Sequence, residues 1–516
     1  MNLLLRTFYC LLAATSILQA AREPYRPLYH FTPEKHWMND PNGMVWQDGE
    51  WHLFYQYNPF GDKWGHMSWG HAVSRDLLTW EHLPLALAEE NGAMIFSGSA
   101  VVDEKNTSGF GKEGKPPMVA IYTAHTDTNQ SQALAFSNDR GRTWTKYAGN
   151  PVLDIGAKDF RDPKVMWHEP TRHWIMTIAW PLERKVRFYA SPDLKTWTHL
   201  SDFGPTGSTT GIWECPDLLP LKVEGTTESK WLLIVNVGSG APAGGSGGQY
   251  FVGDFDGQKF TPHASTPTQE GARWLDYGPD FYAGVTWSGG PPGDDRRILL
   301  AWMSNWEYAN DVPTTPWRSA MSVPRELSLK RSGDDFILIQ QPIRELSGLA
   351  APARLFPGGT VAEANTWLAT ETGGSDTLEL SLTLSPDADG ICGLDVFAGP
   401  DRAVHLVANL KQKTLHLDRT RSGLTDFNPK FSRTAIAPLP AREASAPLKL
   451  RVLLDACSVE VFTEEGAVAL TSLAFPAAAC RTVRVTSAAS AGPASLRRLS
   501  QPPEPALRSP RPRTRP

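Results

Sequence analysis

One short pattern, Ser-x-Asp-Leu-x-Thr-Trp, restricts the fold more than anything else in this chain. It stands at Ser74-Arg75-Asp76-Leu77-Leu78-Thr79-Trp80 and again at Ser191-Pro192-Asp193-Leu194-Lys195-Thr196-Trp197. Between them, Ser137-Asn138-Asp139-Arg140-Gly141-Arg142-Thr143-Trp144 carries it with one insertion, and Asp254-Phe255-Asp256-Gly257-Gln258-Lys259-Phe260 is a looser fourth copy. Each copy reads as a turn leading into an edge strand. Upstream of each lies an apolar run with strand character: Trp51–Tyr55, Val119–Tyr122, Trp174–Ile178 and Trp231–Val235. A fifth run of this kind is Ile298–Trp302. Five units between residues 30 and 340 give a period of about 62 residues, room for four short strands and their turns. That is the signature of a five-bladed β-propeller. Three spaced Thr-Trp copies argue against a long sandwich with chance matches.

The chain is too long for one ordinary core, with 516 residues. From about Ala351 to Leu499 tryptophan nearly vanishes, and strict alternation takes over. It runs through Thr377–Leu384, Ser458–Phe462 and Arg481–Val485. Period two with one polar face predicts an antiparallel β-sandwich. The expected organisation is therefore all-β: a propeller over 25–345, a sandwich over 351–499 and a disordered Pro- and Arg-rich tail over 500–516. Glycine (43) and proline (42) serve as the punctuation of these many short elements.

Residues 1–20 read as a secretory signal, with Arg6 ahead of an apolar stretch from Phe8 to Leu18 and a small-residue exit. The stretch is short for a membrane span and no later segment is long enough, so an exported protein without a membrane span is expected. Cys10 would leave with the signal. Cys215, Cys392, Cys457 and Cys480 have no zinc-like spacing, and spacing assigns no bridge among the last three. A net charge of −5 excludes a broadly basic nucleic-acid binder.

Three acids hold related places. Asp40, in Trp37-Met38-Asn39-Asp40-Pro41-Asn42-Gly43, lies 11 residues before Trp51, and Asp162, in Phe160-Arg161-Asp162-Pro163, lies 11 before His173. Glu214, in Trp213-Glu214-Cys215-Pro216-Asp217, is expected in the same place ahead of a longer hairpin. The first strand of each blade lines a propeller's channel, so the three acids should meet at one mouth. Hydrolysis of a glycosidic bond with retention needs one carboxylate as nucleophile and another as acid, then base. Crowding drives the pKa values of such groups apart. Arg161 is expected to hold its neighbour Asp162 ionised. A lone Asp-Pro would be a turn; three aligned acids point to chemistry. A calcium cage also uses several carboxylates, but the flanking Trp and Arg argue against it, and no metal or cofactor is expected.

These motifs resemble those of glycoside hydrolase family 32, the invertases, inulinases and levanases, in which a five-bladed propeller precedes a β-sandwich. Phe96-Ser97-Gly98-Ser99, Asp276–Tyr282, Ser304–Tyr308, Pro316–Ser319 and Ser458–Phe462 agree with it as well. The resemblance is greatest to exo-acting inulinases and levanases. It implies that Asp40 is the nucleophile, Glu214 the acid and base, and Asp162 a stabiliser of the transition state. It also implies that Asn39, Gln56, Trp64, Phe96, Ser97, Arg161 and Trp306 line a pocket for a terminal fructose of inulin, levan or sucrose. Trp37 and Trp213 are further candidates for the sugar site. Three rival readings remain: a fructosyltransferase with the same acids, a propeller glycosidase acting on arabinan or xylan, and a sugar-binding propeller without catalysis. The sandwich would brace the propeller or make contacts in a homo-oligomer. Gly244-Gly245-Ser246-Gly247-Gly248 fits a nucleophile elbow in letters only; no strand-to-helix turn is expected there, so it reads as a loop.

Overall fold

The structure is a computed structural model that describes residues 23–263, 271–373, 375, 377–478 and 480–503. The signal segment and most of the tail read from the sequence lie outside these residues. Almost every described element is a strand.

Among the described residues, five antiparallel sheets follow one another before the C-terminal region. Their first strands are His36–Gln47, Met94–Val102, Arg161–His168, Trp213–Lys222 and Tyr282–Thr286. These first strands lie against one another in cyclic order, and the fifth meets the first. They therefore form the inner wall of a closed ring, with later strands of each sheet stepping outward. The five apolar runs of the sequence are the second strands. Closure has its own contacts: Trp317–Arg318 pairs in parallel with the start of the first inner strand, and Met321 N donates to Phe31 O at 2.9 Å.

The repeated pattern is the turn between third and fourth strands. In the first copy Asp76 Oδ1 accepts from Leu78 N (2.9 Å) and Thr79 N (2.6 Å), while Oδ2 accepts from Thr79 Oγ1. Asp193 accepts in the same way from Lys195 N and Thr196 N, and Asp256 from Gln258 N and Lys259 N. The aspartate thus replaces backbone partners that a tight turn leaves idle. Partial burial pushes the Asp76 carboxyl up, but the hydrogen bonds from Thr79 and Leu78 outweigh it and hold the group below its usual value. The terminal tryptophan staples neighbouring sheets. Trp80 stacks on Trp287 beside the fifth sheet, and Trp144 meets Phe54 of the first sheet edge-on at 5.5 Å.

The C-terminal region forms a six-stranded and a five-stranded sheet packed over one apolar core. Two departures from the sequence reading stand out. A helix, Val361–Thr372, precedes the sandwich; Thr360 and Glu363 close a capping box at its start, and Ala364 and Leu368 enter the core. Also, Ser458–Thr463 is buried on both faces. Its polar face turns toward the propeller rather than water. There His30 Nε2 lies 2.8 Å from Glu460 Oε1, Nδ1 lies 2.9 Å from Asp455 Oδ2, and Arg325 donates to Glu460 Oε2 at 2.7 Å. Arg419 similarly reaches Asp280 and Tyr308. The alternation was right, and the solvent it implied is a charged interface. Cys215, Cys392 and Cys480 are buried free thiols. No helix among the described residues is long and apolar enough to cross a membrane.

Candidate active site

Every inner strand carries the same irregularity. From Met38 to Pro41, Ile95 to Gly98, Arg161 to Lys164, Glu214 to Asp217 and Tyr282 to Val285, three steps on the inner strand face two on the second strand. One extra residue is a β-bulge, which bends the strand and re-aims a side chain. Each bulge has a residue followed by Pro or Gly: Asp40-Pro41, Ser97-Gly98, Asp162-Pro163, Cys215-Pro216 and Ala283-Gly284. Proline suits a place where the ladder is broken, because it has no N–H to leave idle. Gly98 is required by space, since a Cβ there would lie 2.1 Å from Ile121 O. Asp162, Cys215 and Ala283 take positive φ (66°, 44° and 53°).

These bulges bring the acids together, with one correction. Asp162, Cys215 and Ala283 take the second place of their bulges, Asp40 and Ser97 the third, and Glu214 opens its bulge one residue ahead of Cys215, so the three acids do not share one position. Cys215 Sγ lies 3.6 Å from Asp40 Oδ2 and 3.6 Å from Asp162 Oδ2, so the thiol sits between the two carboxyls. Its backbone N–H donates to Asp162 Oδ2 at 3.0 Å.

The three carboxyls have different surroundings. Asp40 is buried; Ser97 Oγ donates to its Oδ2 at 2.7 Å and Asn39 Nδ2 to its Oδ1 at 3.1 Å. Trp37 Nε1 in turn fixes Asn39 at 2.8 Å. Burial pushes the Asp40 carboxyl up, the Ser97 bond opposes this, and the Glu214 charge reinforces it. Burial carries Asp162 up to about 7; Arg161 pulls against it, while Glu214 and Asp40 push the same way. The expectation that Arg161 keeps Asp162 ionised is therefore corrected: burial outweighs it. The Arg161 guanidinium is instead engaged by Glu214 Oε1 at 3.0 Å and Asp159 Oδ1 at 2.9 Å. Glu214 also accepts from Tyr282 Oη. It is the most accessible of the three and borders an open cavity of about 470 Å³ with Arg184, Thr210, Ile212, Ser239 and Trp306.

The chain belongs to glycosyl hydrolase family 32. The family's N-terminal domain model matches residues 30–342 and its C-terminal model residues 358–500. Levanase from Bacillus subtilis (strain 168) is 48% identical over 458 residues, covering 88% of this chain and 67% of that protein. The extracellular exo-inulinase of Aspergillus awamori is 39% identical over 498 residues, covering 90% and 92%. Among solved structures, the crystal structure of the Aspergillus awamori exo-inulinase superimposes with a TM-score of 0.85 at 36% identity, covering 93% of this chain and 99% of that one. A β-fructofuranosidase from Schwanniomyces occidentalis, complexed with fructosyl-erythritol, gives 0.83 at 32%, covering 93% and 98%.

Within this family member the remaining sequence candidates fall into two groups. Phe96 stacks on His125 with centroids 4.1 Å apart and meets Trp64 edge-on at 6.2 Å. Trp64 is exposed, at 42%. Trp306 stacks on Trp37 at 6.0 Å and keeps a part-exposed face on the open cavity. Gln56 is a strand residue whose Nε2 donates to Ile95 O at 3.0 Å, so it holds the second bulge in place. Trp37 and Trp213 are fully buried, which corrects their candidacy: both are packing. The glycine-rich loop does more than was expected of a plain loop. Ser246 Oγ accepts from Trp306 N at 3.3 Å, and Asn305 Nδ2 donates to Gly244 O at 3.1 Å, so the loop seats the Trp306 segment. Tyr282, Cys215 as a spacer, and the Arg184, Thr210 and Ser239 rim were missed. The Pro/Gly that follows each bulge was the available signal for the first two.

Proposed function

We propose that this chain is a retaining β-fructosidase that releases terminal fructosyl units from inulin, levan or sucrose. The levanase, exo-inulinase and β-fructofuranosidase likenesses support this class of substrate. The observation that carries the mechanism is the convergence of three carboxyls from the first, third and fourth inner strands, with the Cys215 thiol set between Asp40 and Asp162. Asp40, fixed from two sides by Ser97 and Asn39, attacks the anomeric carbon of the fructosyl ring. Glu214, at the open cavity, gives its proton to the departing oxygen, and the C–O bond breaks as the fructosyl–Asp40 ester forms. Glu214 then takes a proton from water, whose oxygen displaces Asp40. Asp162 faces the sugar hydroxyls and stabilises the oxocarbenium-like transition state. Phe96, Trp64 and Trp306 offer flat apolar faces to the ring, with Arg161 and Gln56 completing the polar side.

The catalytic unit is taken to span 25–345 and the bracing sandwich 351–499, with 1–20 as an export signal, 500–516 as a tail and an extracellular or periplasmic destination. The test is sugar release from inulin, levan and sucrose, followed by NMR in the first turnovers. Free fructose appearing first as the β anomer supports the reading. The α anomer refutes retention, and fructan binding without fructose release refutes catalysis.

A further inference from the structure

The inner strands run past the acids to the other end of the ring. A small void of about 20 Å³, bordered by Pro41, Ser97, Asp162, Cys215 and Lys164, separates the two ends. Beyond it lies a second open cavity of about 420 Å³, which also borders Lys164 but none of the three acids. This volume falls within the range of small-molecule sites.

Its walls are indoles: Trp46, Trp167 and Trp231, all part-exposed, over the buried Trp174 and Trp287. Its floor is polar. Lys164 Nζ donates to Thr286 O and lies 3.3 Å from Asp217 Oδ2. Asp217 Oδ2 also accepts from Thr286 N and Oγ1, each at 2.7 Å. Asp217 Oδ1, in a fully buried residue, has no hydrogen-bond partner among the described residues. A buried acceptor left idle is costly, so a hydroxyl donor is favoured there. The charges cancel: Lys164 and Arg297 stand against Asp217 and Glu104. A phosphate or other strongly charged guest gains nothing from such a site. Flat apolar walls, an idle acceptor and zero net charge together select a neutral, hydroxyl-rich molecule with apolar faces.

We propose that this rear mouth is a second saccharide-binding site, taking a neutral mono- or disaccharide by stacking on Trp46, Trp167 and Trp231 and hydrogen bonding to Asp217 and to Arg297 at its edge. The fructosidase reading enters only in the choice of sucrose as probe. The full-length Asp40→Ala protein, which does not consume the probe, is titrated with sucrose by calorimetry. One binding event is expected to weaken at least tenfold in both Trp167→Ala and Arg297→Ala, each made in that background. Among the described residues the side-chain hydrogen bonds of Arg297 go to two carbonyl oxygens of its own chain neighbours, at 3.4 and 3.5 Å, and its charge acts on the exposed Asp295, so its removal leaves the fold intact should Trp167→Ala not fold. In the active enzyme neither change should alter kcat/KM for sucrose by more than twofold. The proposal is overturned when no binding event responds to either substitution. Failure of the fructosidase reading has a different signature: the event that ignores both substitutions disappears.

Discussion

The buried histidine that ties the propeller to the sandwich makes a quantitative prediction. His30 presents both ring nitrogens to carboxylates, Asp455 at 2.9 Å and Glu460 at 2.8 Å, so both must carry protons and the ring is an imidazolium. Burial opposes that charge, yet the hydrogen bonds to Asp455 and Glu460 win and lift His30 from 6.5 to about 9. A folded-state value above the unfolded one means stability that is complete below pH 6.5 and disappears as pH rises through 9. The gap corresponds to about 3 kcal/mol at 1.36 kcal/mol per unit. An unfolding entropy of about 2.1 cal/mol/K per residue over a chain of this length gives about 1 kcal/mol per degree, so the expected loss is about 3 °C in Tm. The perturbation is His30→Gln, which cannot take up the second proton. Calorimetric melts of both proteins at pH 6.5 and 9.5 supply the comparison. Wild type should lose about 3 °C more than His30→Gln across that interval, because other titrations are common to the two. His30→Gln should also be less stable at pH 6.5, by roughly 3–5 kcal/mol, since it breaks a buried pair on one side. Equal pH slopes in the two proteins would refute the charged-histidine argument.

Other expectations address the site and the repeat. Asp40→Asn and Glu214→Gln should each lower turnover on sucrose by at least a thousandfold with unchanged circular dichroism; a wild-type rate in either removes that residue from the mechanism. Gly98→Ala drives a methyl group into Ile121 O beside the Ser97–Asp40 contact. It should cost about 2–3 kcal/mol in denaturant unfolding and lower kcat as well. Asp193→Ala removes two backbone partners from an outer turn and should cost about 1–2 kcal/mol while leaving kcat within twofold.

The repeat was legible because its turn chemistry is local. An aspartate accepting from residues two and three ahead has to be written within seven letters, so Asp76 and Asp193 announce their turns in the sequence. The acid trio was legible for a related reason, as Asp40 and Asp162 stand at nearly equal distances, 10 and 11 residues, ahead of their second strands. What escaped the reading depends on distance in the fold. His30 is an unremarkable letter until Asp455 and Glu460 arrive from more than 400 positions away, and Glu460 looks solvent-facing in its alternating strand. Trp213 and Trp306 are equivalent as letters near an acid motif. Only packing separates the first, sealed in the core, from the second, seated by a glycine-rich loop at an open cavity.

The bulges have a consequence for how such a ring changes its chemistry. Five strands offer five bulged mountings around one axis, and they hold Asp40, Ser97, Asp162, Cys215 and Ala283. The backbone kink that aims the side chain is already built at each of them, whichever residue is mounted. A new functional group at the channel mouth therefore needs one substitution, at Ala283, and no redesign of the chain path, whereas Ser97 is already committed to Asp40. The ring works as an indexed turret, in which chemistry is exchanged at the mountings while the blades stay as they are.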